Sequence, residues 1–179
     1  MYHIECNSSK YKDINYDLLS PWYPFVSGEL GLWCSNLALW QDALSNNYKR
    51  IVVFQDDIKI LNTEKFNDQL NNFISHLPTT FDIAFIDMAM ESAKARRVNE
   101  YVSKFEDGGY AYGAWAVVYS EKALRKMPNF APYRDNDDMI FFRYRAHEND
   151  KTTDFNFEVY ISAIDMVDVV GGSEMDRIY

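Results

Sequence analysis

Apolar and polar positions follow two periods along this chain, and the strongest signal spans Ser27 to Leu61. Leu30, Trp33, Leu37, Trp40 and Leu44 recur at helical spacing. Leu32, Leu39 and Ala43 make much of the opposite face apolar, so the pattern predicts a helix covered on two sides. Ser27 is placed to cap it, and Glu29 sits in the first turn, where the helix dipole favours a negative charge. Asn46-Asn47 ends it. Ile51-Val52-Val53-Phe54 is then an unbroken apolar run, which predicts a central strand of a parallel sheet. Gln55-Asp56-Asp57 follows at once.

The rest of the chain reads in the same terms. Tyr2–Cys6 suits a short strand, and Pro21–Phe25 is an aromatic connector that regular helix excludes. Phe66, Leu70, Phe73 and Leu77 predict a helix over Glu64–His76, capped by Asn62-Thr63 and stopped by Pro78. Phe81–Ile86 is the next strand, with Asp87 at its end. Met88–Asn99 carries Lys94, Arg96 and Arg97 and reads as a loop or short helix along the sheet's carboxyl edge. Tyr101–Phe105 reads as an edge strand, and Gly108-Gly109 breaks the chain. Tyr112–Tyr119 is a strand, followed by a helix over Glu121–Met127 that Ser120 caps and Pro128 ends. Asp135-Asn136-Asp137-Asp138 opens a helix over Met139–Arg145. Phe157–Ile161 and Met166–Val170 are short strands. Strands alternating with helices predict one domain over residues 1–179, a three-layer α/β fold with a mostly parallel central sheet.

Composition narrows the partners. A formal charge of −9 over 179 residues argues against nucleic acid or an anionic membrane as the main partner. The two cysteines, Cys6 and Cys34, do not form a disulfide framework, and Cys34 reads as a small buried hydrophobe. No apolar run approaches the roughly 20 residues that span a bilayer. The first residues do not read as a signal peptide. These readings place the chain in the cytoplasm, with attachment at the inner membrane face as the alternative.

The candidate chemistry rests on carboxylates. Asp56 and Asp57 have an ordinary reading as a loop start or a helix cap. Ligands in open α/β sheets bind at the carboxyl ends of strands, however, and two carboxylates there suit a hard divalent cation. Asp137 and Asp138 read as caps or as a general base kept ionised by a helix start. Asp87 reads as a metal partner, an acceptor ligand or a cap. Lys94, Arg96 and Arg97 form a solvated face or a lid over a diphosphate. Sugars stack on aromatic faces, and Tyr110 and Tyr112 beside Gly108-Gly109 are the acceptor candidates; Trp22, Tyr23 and Trp115 are more ordinary core material. His3, His76 and His147 show no metal-ligand spacing, with His147 a candidate third ligand.

The block GELGLWCSNLALWQDAL followed by IVVFQDDI resembles glycosyltransferase family 25, the lipooligosaccharide and collagen galactosyltransferase group. Gly28, Glu29, Gly31, Ser35, Trp40, Asp56 and Asp57 match that family's pattern. Leu32, Asn36 and Gln55 stand where the family has Cys, His and Glu. Looser likeness runs through Phe81-Asp82-Ile83, Tyr112–Trp115, Asp137-Asp138 and Ser173–Met175. The resemblance implies the nucleotide-sugar transferase A-type (GT-A-like) fold with a reduced N-terminus. It implies transfer of a hexose, galactose first, from a UDP-sugar donor to a saccharide or glycolipid acceptor with inversion, in surface-glycan assembly. In that reading Asp56 and Asp57 hold Mn²⁺ or Mg²⁺, and Gln55, Asp56, Arg96 and Arg97 contact the donor. Asp138, Asp137 or Asp87 would be the base. A non-catalytic relative that binds glycan or nucleotide is the second reading, and a metal-dependent phosphoryl hydrolase is the third.

Overall fold

The computed structural model describes residues 27–90, 94–106, 111–129 and 157–169. The strand expected at Tyr2–Cys6 and the helix expected at Met139–Arg145 lie outside them. In chain order the elements are α1 (Ser27–Ser45), β1 (Arg50–Phe54), β2 (Ile58–Ile60), α2 (Phe66–His76) and β3 (Ile83–Met90). Then come β4 (Lys94–Arg97), β5 (Val102–Glu106), β6 (Ala111–Ser120) and α3 (Glu121–Lys126). A 3₁₀ turn (Met127–Asn129), β7 (Val159–Ser162) and β8 (Val167–Val169) complete the set.

Six strands form one sheet in the order β1-β6-β3-β7-β5-β4, and β2 pairs with β8 in a second, two-stranded sheet. Among the described strands of the larger sheet only β3 and β7 run parallel; the other neighbours are antiparallel. This corrects the mostly parallel sheet expected from the apolar runs. Unbroken apolar sequence records that both faces of a strand are covered, and it carries no information on strand direction. The described sheet also places β1 first in its order, not at the centre.

β3 shows why both faces are apolar. Ile83 and Phe85 pack in one cluster with Leu37, Trp40 and Ala43 of α1. Ala84 and Ile86 pack in the other, with Phe73 of α2 and Leu77 just beyond it. The alternation of side chains along a strand thus sends successive residues to opposite helices. β6 does the same with Val117 and Tyr119 against Ala116 and Val118.

The helices follow their expected bounds with local departures. α1 stops where Asn47 takes a positive φ of 58°, a conformation that Asn accepts more readily than most residues. On the face opposite the main stripe Ala43 is buried, while Leu39 is 45% exposed. Asn36 is buried instead, and its Nδ2 donates to the Leu32 carbonyl at 3.0 Å. Cys34 is disulfide-bonded and only partly buried, which corrects its reading as a small buried hydrophobe. The sequence's other cysteine, Cys6, lies outside the described residues. Asn62 caps the turn before α2 by accepting from the Lys65 N–H, and Ser120 Oγ caps α3 by accepting from the Ala123 N–H at 3.2 Å.

The stretch Lys94–Arg97 is neither loop nor helix. It is β4, at the far end of the sheet order, exposed along its length and paired antiparallel with β5. β5, expected at the edge, therefore lies inside it. Among the described residues no helix is long and apolar enough to cross a membrane.

Trp40 is fully buried and meets Tyr119 edge to face, with ring centroids 5.6 Å apart. Removing a buried indole leaves a cavity that such a core cannot close. Trp40→Ala should cost about 3–5 kcal/mol in chemical denaturation. A loss under about 1 kcal/mol would show that the α1–β6 contact is not a main source of stability.

Candidate functional site

Gln55, Asp56 and Asp57 follow the carboxyl end of β1. The β1–β6 ladder extends one step beyond Phe54, because the Gln55 N–H donates to the Trp115 carbonyl at 2.8 Å. Asp56 and Asp57 then form the turn into β2, and both are exposed. β2 is held by β8 in the register Ile58↔Val169 and Lys59↔Asp168. The pairing brings Asp168 beside the same turn.

Asp87 sits inside β3 and not at its end. The register with β6 shifts on both sides of it, between Phe85 and Asp87 and between Asp87 and Ala89. Such bulges re-aim a side chain out of the regular pleat. The Asp87 carboxylate is half-buried and accepts from Trp115 Nε1 at 3.2 Å. Trp115 thereby joins Gln55 through its backbone and Asp87 through its ring. Gly113 makes room for that ring. Its φ is +99°, and a Cβ there would lie 1.8 Å from Trp115 Cζ3. A glycine is required at this position on both counts.

Burial raises the Asp87 carboxyl above the ordinary carboxylate range, and the nearby charges of Asp165 and Asp168 push it the same way. Hydrogen bonds from Trp115 and from the Met88 backbone oppose the shift in part. Asp165 and Asp168 escaped the sequence reading because more than 75 residues separate them from Asp87. Their signal was an aspartate on each side of the short apolar pair Met166-Val167. Among the described residues no three His, Cys, Asp or Glu side chains converge as a ready-made metal cage.

Other marked residues lie elsewhere. Arg96 and Arg97 are on β4, at the opposite edge of the sheet from β1. Five strand spacings put them on the order of 20 Å from β1. Arg96 pairs with Glu106 at 3.0 Å, and Arg97 donates to the carbonyls of Asn99 and Glu100. The structure does not bring them to the Asp56–Asp57 turn. Tyr112 belongs to β6, paired opposite Ala89. His76 ends α2, in contact with the Asn72 carbonyl and the Tyr101 ring. Tyr110, Asp137, Asp138, His147, Trp22 and Tyr23 lie outside the described residues.

The raised Asp87 carboxyl gives a stability signature. A carboxyl whose folded value exceeds its unfolded value binds protons more tightly in the folded state. Ionising it opposes folding: the cost is absent below the ordinary value of 3.8 and grows as pH rises through the raised value. Asp87→Asn keeps an acceptor for Trp115 and removes the charge. Thermal melts should show the variant at least about 2 °C more stable at pH 7.5, with the difference shrinking towards pH 4. A difference independent of pH would mean that desolvation of this carboxylate is not the cause.

The family model described as glycosyltransferase family 25 (LPS biosynthesis protein) matches residues 5–115, a span that includes α1, the Asp56–Asp57 turn, Asp87 and Trp115. A Bos taurus protein named probable inactive glycosyltransferase 25 family member 3 is 24% identical over 156 residues, which is 81% of this chain and 26% of that protein. The Homo sapiens protein named inactive glycosyltransferase 25 family member 3 is 22% identical over 160 residues, again 81% of this chain and 26% of the relative. The chain thus spans about a quarter of the length of the curated relatives it matches. With more than half of its length under the family model, the chain belongs to glycosyltransferase family 25.

Proposed function

We propose that the chain is a hexosyltransferase domain that moves a sugar, galactose in the first instance, from a UDP-sugar to a saccharide or glycolipid acceptor with inversion. One observation carries this reading. β1 is locked to β6 as far as Gln55, and two exposed carboxylates follow in the turn into β2. The family's description as an LPS biosynthesis protein supports surface-glycan assembly as the setting.

The turn suits Mn²⁺ or Mg²⁺ in its donor chemistry. Such cations take oxygen ligands, and one or two carboxylates with substrate phosphates are a usual set. Asp56 and Asp57 would hold the cation, which supplies charge neutralisation on the leaving diphosphate. Without it the two aspartates would repel the donor. Gln55 orients the turn through its backbone bond to Trp115. The proton of the acceptor hydroxyl goes to a carboxylate, with Asp137 or Asp138 first and Asp87 next in line. The raised proton affinity of Asp87 suits it to that alternative.

A second reading has its own support, since relatives from Bos taurus and Homo sapiens are named inactive. In it the domain binds nucleotide or glycan and transfers nothing.

Two measurements separate these readings. Calorimetric titration should show UDP binding more tightly with Mn²⁺ than with EDTA. Asp56→Asn and Asp57→Asn should each weaken Mn²⁺-dependent binding at least ~10-fold, about 1.4 kcal/mol, with little change in melting temperature. Equal affinity with Mn²⁺ and EDTA would remove the metal site. Turnover of UDP-galactose on a saccharide acceptor is the second measurement. Asn at whichever of Asp137 and Asp138 is the base should lower it at least ~100-fold while UDP binding stays near wild type. UDP binding without any transfer by the wild type would favour the non-catalytic reading.

A further inference from the structure

The sheet breaks its own register where Asp87 meets β6. Asp87 to Ala89 is two positions along β3, while their partners Ala116 and Tyr112 are four positions apart along β6. Gly113 and Trp115 lie inside that excess of β6. Gly113, at φ +99°, has no Cβ to meet the indole that lies against it. The Trp115 ring then donates its Nε1–H to Asp87 Oδ2 at 3.2 Å. Irregularities of this kind re-aim side chains and are common beside binding sites.

The carboxylate keeps capacity for further donors. An ionised carboxylate offers about four lone-pair sites. Among the described residues two donors reach Asp87, the Trp115 indole and the Met88 backbone N–H. Asp87 and Trp115 are both half-buried, so the carboxylate is short of water and still reachable from solvent. A hydrogen bond made in such surroundings is stronger than one made in open water.

Charge selects the kind of ligand. Asp165 and Asp168 act on Asp87 by their charges, so all three carboxylates repel a phosphate or a sulfate. Among the described residues no three His, Cys, Asp or Glu side chains meet to cage a metal ion. A neutral polyol escapes both objections. Neighbouring hydroxyls of a pyranose can donate to the two oxygens of one carboxylate, and such charge-assisted bonds are about twice as strong as neutral ones. Membership of a glycosyltransferase family is the reason to name a hexose among neutral polyols.

We propose that Asp87 binds the hydroxyls of a hexose and that Trp115 is the positioning residue that holds the carboxylate for them. This rests on the reading of the domain as one that handles saccharides. The test is NMR titration of the isotope-labelled full chain with methyl β-galactoside and methyl β-glucoside, without metal or nucleotide. Those conditions leave out the Asp56–Asp57 turn, so donor binding and hexose binding succeed or fail separately. Trp115 Nε1–H and the Met88 amide report on the two donors to Asp87, and Trp115→Phe assigns the indole resonance. At about pH 7.5 both resonances should move saturably with at least one of the sugars, with Kd below about 30 mM. Asp87→Asn should weaken binding at least ~5-fold, because the acceptor that remains is uncharged. Wild-type binding should also weaken as pH falls through the raised value of the Asp87 carboxyl, since protonation removes acceptor capacity, whereas binding by Asp87→Asn should not. Trp115→Phe removes a donor that favours the ionised form, so this acid limb, followed at the Met88 amide, should move to higher pH. A merely structural role for Trp115 would leave the limb where it is, and that result would overturn its part. Resonances unmoved by either sugar up to about 100 mM would overturn the whole proposal. So would tighter binding of n-butylammonium, the mark of a cation site, or a sugar affinity that ignores both Asp87→Asn and pH.

Discussion

Asp82 is the residue on which the described core turns. It is fully buried, one position before β3, and it ties three distant parts of the chain together. Its carboxylate Oδ2 accepts from the Glu158 N–H at 2.8 Å and from Lys122 Nζ at 3.0 Å. Its own backbone accepts from the Ser120 N–H and donates to the Glu158 carbonyl. The approach to β7, the end of β6 and the first turn of α3 therefore meet at one side chain. A buried carboxylate is costly unless it is paired and hydrogen-bonded, so these partners are not optional. Oδ1 makes no hydrogen bond among the described residues and faces Lys126 at 4.0 Å, which keeps both lysines turned towards one point.

That arrangement gives the sheet two chemically different ends. Asp82 and α3 gather cations at the end where β6 finishes. Asp56 and Asp57 follow the end of β1, and Asp87 feels the charges of Asp165 and Asp168. β6 links the two, since it carries Ser120 at one end and Gly113 and Trp115 at the other. The small residue at Gly113 lets the Trp115 ring lie back over its own strand, and the ring then steadies Asp87.

Much of this was legible from residue types, and the rest was not for physical reasons. Ile51–Phe54, Phe81–Ile86 and Tyr112–Tyr119 announce strands because each alternates between two apolar surroundings, yet burial on both faces is blind to direction. The Asp56–Asp57 pair is legible because an apolar strand ends there. Asp165 and Asp168, whose charges act on Asp87, are not, since they lie some 80 residues further along the chain. Lys94, Arg96 and Arg97 read as a solvated face or as a lid, and their exposure along β4 agrees with the first. They serve an exposed outer strand, where charge discourages a further strand from adding. Asp82 did leave a trace, an aspartate inside the apolar run Phe81–Ile86, and a charge in such a place needs partners that sequence spacing does not reveal.

The central place of β6 has a consequence for synthesis on the ribosome. β1 and β3 are both completed by this one strand, which follows β1 by about 60 residues in the chain. At the usual 5–20 residues per second, about 3–12 s pass between the appearance of β1 and that of its partner. β3 waits longer still for β7, whose residues follow it by some 75 positions. In that interval these apolar segments are out of the ribosome ahead of the described strands that pair with them. Nascent chains of this protein should therefore depend on chaperone cover between the emergence of Phe54 and that of Ser162, and much less afterwards.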